Sequence, residues 1–201
     1  MRRQRPARHI RVGCDNSHSS LTPMDGIAKI ALKIALSLPI AYGLAYPLLN
    51  PEAGGGILKE VEMFGPLGSL LAIALFLALV ALYCRDLQRS LALVRPEARR
   101  ARPRSVWLMF LLPYNFIEDF CIVANVAASL RAEARHNADL RLPRDAGLVS
   151  GWGWCVAQIV ALVPHPLGSL AGLLAMALWI VHWRLVRRAN AALAPVPAAA
   201  L

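Results

Sequence analysis

AGLVSGWGWCVAQIVALVPHPLGSLAGLLAMALWIVHW, residues 146–183, contains no Asp, Glu, Lys or Arg. Drawn as one helix at 1.5 Å per residue it would be about 57 Å long, whereas the hydrocarbon core of a bilayer is about 30 Å thick. One helix therefore overshoots the membrane. The middle of the run reads Val163-Pro164-His165-Pro166-Leu167-Gly168. Each proline removes a backbone donor and clashes with the carbonyl four residues back, and the glycine that follows favours a turn. The run thus predicts two short antiparallel helices, about 147–163 and 167–190, joined at 163–168.

Two further runs have the same character. Phe64–Cys84 carries no charge, and Ile34–Leu49 is apolar with a lead-in from Ile27 that bears Lys29 and Lys33. They predict helices at about 27–48 and 64–87. Of the 201 residues, 57% are hydrophobic and 17% charged, where soluble domains carry about 25% charge. Mean hydropathy is +0.49. Long uniform runs, as opposed to ten-residue alternating ones, mark helices as the means by which this backbone satisfies itself in lipid. Residues 1–23 are basic, polar and aperiodic and are expected to form a disordered tail. Residues 24–190 are expected to form the helical membrane domain, and 191–201 an Ala/Pro-rich tail. The first apolar run begins too late for an ordinary signal peptide and is expected to stay as an anchor; either Met1 or Met24 can serve as the start.

Lys and Arg number 22 against 12 Asp and Glu, a net charge of +10. The basic residues cluster at 2–11, at Lys29 and Lys33, at 85–104, at 131–144 and at 184–188, with Lys59 alone apart. This is the pattern of the positive-inside rule, and no nucleic-acid partner is expected. Arg85, Arg89, Arg95, Arg99, Arg100, Arg102 and Arg104 are expected to set orientation and to meet anionic lipid headgroups. The loop 50–63, with Glu52, Glu60 and Glu62 against Lys59, then lies outside. If residues 105–135 dip into the bilayer and return, every basic cluster falls on one face. The expected fold is an all-α integral membrane bundle with four spanning helices and one re-entrant or interfacial amphipathic helix. Both termini are cytoplasmic, in a bacterial inner membrane.

PYNFIEDFC, 113–121, interrupts this picture with two adjacent carboxylates. On a helix Asn115, Glu118, Asp119, Asn125, Ser129 and Glu133 share one face, and Phe116, Ile117, Phe120, Val123, Ala124, Ala127 and Leu130 the other. Pro113 separates this pattern from the apolar 106–112. The spacing predicts an amphipathic helix along the cytoplasmic interface, with Glu118 and Asp119 at headgroup level paired to arginines such as Arg99, Arg100, Arg102 or Arg104. The rival arrangement turns both carboxylates into the bundle.

The segment PEARRARPRSVWLMFLLPYN, 96–115, resembles a pattern found in small multi-helix bacterial integral membrane proteins of no assigned activity. Its marks are Pro96, Arg99, Pro103, Val106, Trp107, Leu108, Pro113 and Asn115. The 120–123 run, Ser129-Leu130 and the closing LWIVHW, 178–183, are similar too, so the resemblance covers roughly 80–190. It implies architecture and adds no chemistry. The chain departs from the pattern at Glu118 and Asp119, where an apolar or aromatic residue and a Gln are expected.

Adjacent carboxylates on a helix point about 100° apart, so Glu118 and Asp119 do not converge on one bond unaided. With Asn115, Asn125 and His165 they form the candidate polar site. His165 is expected to be a turn residue, and His182, Trp152, Trp154, Trp179 and Trp183 an interfacial aromatic belt. Gly168, Gly172 and Ala175 make a small-residue ridge for close helix packing. Cys14, Cys84, Cys121 and Cys155 form no CxxC pair and are expected to pack as small apolar residues. No nucleophile elbow, phosphate loop or zinc-ligand spacing appears, and no cofactor or metal is expected. The leading expectation is a non-enzymatic membrane protein acting through helix packing with lipid, a membrane-protein partner or a second copy of itself. The alternative is a minor transporter or proton/cation-conducting protein using the carboxylates. A membrane-embedded enzyme comes third.

Overall fold

The computed structural model describes residues 23–50 and 63–194. The expected disordered tail, apart from Pro23, the centre of the acidic loop (51–62) and residues 195–201 lie outside the described residues. Those described form five α-helices and one 3-10 helix, with no strand among them: α1 (Pro23–Leu49), α2 (Gly65–Leu93), the 3-10 helix Pro103–Phe110, α3 (Asn115–Ala134), α4 (Leu148–Val160) and α5 (Pro166–Leu193). The described residues form an all-helical fold of the kind a membrane protein has. Ile27–Tyr46, Gly65–Leu93 and Pro166–Leu193 are each long and apolar enough to cross a bilayer. Of the four expected spanning helices, three are of that length among the described residues; α4 has 13 residues, about 20 Å at helical rise against a core of about 30 Å.

The proline-rich break lies between α4 and α5. Pro166 occupies the first turn of α5, where its missing donor costs nothing, and His165 caps that turn by accepting from Leu167 N–H at 3.2 Å. A Cβ on Gly168 would stand 2.2 Å from the Val163 carbonyl oxygen. This residue is therefore small to fit its own turn. At the other end of α4, Gly147 enters the helix at φ +84, a left-handed conformation that glycine adopts without a Cβ penalty. Its carbonyl meets His182 Nδ1 at 3.0 Å.

Residues 103–134 are two legs, not one helix. The 3-10 leg follows the C-terminal half of α2: Trp107 Nε1 donates to Gln88 at 2.7 Å, and Cys84 Sγ to the Val106 carbonyl at 3.6 Å. The chain turns through 111–114, and α3 returns beside it. Ser129 accepts from Arg100 N–H at 2.9 Å, and Glu133 pairs with Arg95 at 3.1 Å. The C-terminal end of α3 is thus level with the end of α2, while its N-terminal end meets the middle of α2.

The core collects around Tyr83, which is fully buried. Its ring meets those of Trp179, Trp154, Trp183 and His182 edge-on, with centroids 5.6, 5.7, 5.9 and 6.1 Å away. Aromatic pairs in such geometry add about 0.5–1.5 kcal/mol each beyond area burial. Of the expected aromatic belt, Trp179 and His182 are buried and Trp154 and Trp183 pack against the core. α2 covers these rings with Tyr83.

Candidate functional site

α3 forms as the spacing predicts, but the surface it was expected to present to water is covered. Glu118, Asp119, Ser129 and Glu133 are buried together with Phe116, Val123, Val126 and Leu130. Most of the helix is covered by its neighbours, and both carboxylates of the 118–119 pair find protein partners. Glu118 forms an ion pair with Lys33 of α1, their side chains 9% and 22% exposed. Asp119 accepts from Gln158 Nε2 of α4 at 3.1 Å. The adjacent carboxylates point to different neighbours because successive helical residues diverge by about 100°.

The expected pairing with the arginine loop is therefore overturned. Arg99 donates to the Ala92 and Val94 carbonyls at 3.2 and 3.1 Å, closing the end of α2. Arg95 takes Glu133, and Arg100 contributes its backbone N–H to Ser129. Fifteen residues separate Glu118 from Glu133, about 22 Å of helix. That length carries the carboxylate pair away from the arginines and into the bundle.

Asp119 is 2% exposed, and its Oδ1 has no partner among the described residues. Five more buried atoms share that condition: Asn115 Oδ1, the Tyr83 hydroxyl and Trp179 Nε1 beside it, and Arg99 Nε and His182 Nε2 elsewhere. Asp119, Asn115, Tyr83 and Trp179, with Gln158 and Trp154, line one partly open cavity of about 100 Å³ between α2, the 3-10 helix, α3, α4 and α5. At about 30 Å³ per water it holds roughly three. A buried polar group without a hydrogen bond costs about 1–3 kcal/mol, and a charge without a partner costs more or is neutralised by protonation. The two carbonyl-type oxygens accept, Trp179 Nε1 donates and the Tyr83 hydroxyl does either, so the residues lining this space suit a guest that can both give and accept hydrogen bonds.

Of the residues proposed from sequence, Asn115 and Asp119 meet here. Glu118 lies on the α1 side. Asn125 is half-buried and only its carbonyl is engaged, by Ser129 at 2.7 Å. His165 is exposed at the α4–α5 turn and forms no hydrogen bond to either carboxylate. Gly172 is buried on α5. Tyr83, Gln158, Trp179 and Lys33 were not singled out for the site. Gln158 and Lys33 carried a legible signal, being lone polar residues within apolar helices; Tyr83 and Trp179 carried none. Gly151 was missed as well: a Cβ there would be 2.4 Å from Val123 Cγ1, so α3 and α4 touch through it. Among the described residues no three His, Cys, Asp or Glu gather as metal ligands.

Comparison of the chain with known protein families, with curated proteins and with solved structures found no match. The resemblance at 96–115 and 178–183 accordingly carries no family assignment.

Proposed function

We propose that this protein is a small multi-pass membrane protein whose interior carboxylate, Asp119, takes up a proton shared with water in the adjoining cavity. The observation that carries the reading is the single unpartnered oxygen of a carboxylate that is 2% exposed. Ionisable groups inside a membrane bundle are costly and mark ion or proton pathways. A bare metal cation fits less well, since it would face the donor-only Trp179 Nε1. The protein is then a proton-handling one, without a covalent reaction.

In this reading α1, α2 and α5 cross the bilayer, α4 with its flanking turns completes a fourth pass, and the 3-10 helix with α3 is a re-entrant hairpin. Both termini face the cytoplasm of a bacterial inner membrane. The pairing of Arg95 with Glu133 and of Arg187 with Asp86 supports this threading, because it brings the basic clusters of 85–104, 131–144 and 184–188 to one end of the bundle.

The test is proton flux into vesicles reconstituted with the full chain and loaded with a pH-sensitive dye. Wild-type protein should acidify them faster than protein-free vesicles under an imposed gradient, and Asp119→Asn should remove the difference. Wild-type vesicles no faster than empty ones would sink the proposal. A second reading would then lead, that of a packing protein for lipid and membrane partners. The observation favouring it is the Lys33–Glu118 ion pair, which fastens α1 to α3 and suits a purely structural role.

A further inference from the structure

At the end of α5 a groove of about 430 Å³ runs between Arg141–Pro143 and one face of the helix. That face is Val181, Arg184, Leu185, Arg188, Ala189 and Ala192, the i, i+3, i+4 spacing of a single helical stripe. Arg141, Arg184 and Arg188 are all exposed, and among the described residues none has a hydrogen-bonding or ion-pair partner through its side chain. No Asp or Glu lines the groove. This differs from the neighbouring basic hollow around Arg85, Arg89 and Arg187, where Asp86 supplies an internal counter-charge.

The groove continues into the apolar surface. Val181 is 56% exposed, and Leu174, two turns earlier on the same side, is 54% exposed. From Pro166 to Arg184 the helix rises about 27 Å, close to the thickness of a hydrocarbon core. Three unpaired guanidinium groups therefore stand where such a helix leaves the acyl region, above an open apolar track along it.

We infer that the groove formed by Arg141, Arg184 and Arg188 with Val181 and Leu185 is a binding site for one anionic phospholipid. Its phosphate is held by the arginines, and an acyl chain lies along Val181 and Leu174. Guanidinium groups match phosphate oxygens in a bidentate fork, and basic pockets at helix ends on one membrane face recognise lipid headgroups. A chain-bearing phosphate uses both halves of the groove; a free phosphate uses only the arginines. This inference does not depend on proton uptake at Asp119.

The measurement is native mass spectrometry of the full chain, released from micelles containing phosphatidylglycerol, phosphatidylcholine or inorganic phosphate alone. Phosphatidylglycerol should be retained in one copy, phosphatidylcholine far less, and inorganic phosphate not at all. Arg184→Gln with Arg188→Gln should weaken phosphatidylglycerol retention about fivefold per arginine. Arg131→Gln with Arg135→Gln, the same charge change at the exposed end of α3, should leave it intact. Should the bundle respond badly to the glutamines, Val181→Glu, which puts a carboxylate on the acyl track, should also reduce retention. Equal loss from the α3 pair would reduce the effect to net charge and overturn the site. Retention of inorganic phosphate would make it a free-anion site, and displacement of lipid by a soluble acidic peptide would make it a protein-docking site. Either result overturns the inference as stated.

Discussion

The two halves of α2 make the comparison from which the rest of the molecule can be understood. Gly65–Leu82 is the most hydrophobic stretch, yet none of its residues is buried, and Leu67, Leu70 and Leu71 are 69%, 63% and 62% exposed. From Tyr83 onward the helix gains Arg85, Asp86, Arg89 and Ser90, and here lie all its buried residues: Tyr83, Cys84, Leu87, Ser90 and Leu91. The first half is apolar and open, a surface suited to lipid, and the second is buried because protein surrounds it. In a membrane protein the greasiest segment is therefore a poor guide to the core. Between lipid tails and leucine there is no hydrophobic driving force, so close packing, aromatic contacts and internal hydrogen bonds must hold the helices together.

The sharpest way to break the contrast is to truncate one residue from each half. Tyr83→Ala removes the ring around which three tryptophans and a histidine pack and should cost about 3–5 kcal/mol. Leu70→Ala, facing lipid, should cost under about 0.5 kcal/mol. Unfolding in mixed micelles by titrated denaturing detergent measures both; equal losses would mean that the core is not where the Tyr83 cluster lies.

Lys33→Ala comes next. It leaves Glu118 buried and unpaired, and removing one partner of a buried pair costs about 3–5 kcal/mol. Because Lys33 is partly exposed, the lower end is expected. Combining it with Glu118→Gln should recover most of the loss, and a double-mutant cycle showing simple additivity would remove the ion pair as the fastening of α1.

Gly151→Ala tests close packing directly. The new methyl must displace Val123 and approach His182, for a cost of about 1–3 kcal/mol, read in the same titration. No measurable change would show that α3 and α4 can part freely. The smallest effect belongs to Arg187→Gln. Its contact with Asp86 is 3.8 Å long and the arginine is 71% exposed, so the change should stay below about 0.5 kcal/mol. A larger loss would assign the arginine-rich end of the bundle a stabilising role that its exposure does not suggest.

Much of the architecture could be read from the residues. Apolar length gave the three long helices, because a helix satisfies its own backbone and the required length is set by the bilayer. Pro164, Pro166 and Gly168 marked the turn, because a proline ring fixes φ and removes a donor wherever it stands. The separation of 106–112 from 115–134 followed from Pro113 in the same way. These are properties of short stretches of chain, independent of what lies beside them.

The candidate site was only half legible. Helical spacing put Asn115, Glu118 and Asp119 on one broad face; the structure brings Asn115 and Asp119 to one pocket and turns Glu118 toward α1, and spacing says nothing about what covers a face. Lys33 lies 85 residues from Glu118 in the chain, and Gln158 lies 39 residues from Asp119. Tertiary packing alone chose these partners over the nearby arginines. It also covered the polar face of α3, buried Trp179 and His182 against Tyr83, and formed a pocket beside Asp119. The physical reason is common to all three. Periodicity is fixed by bonds between residues three or four apart, whereas burial, pairing and depth depend on segments that meet only after the chain has folded.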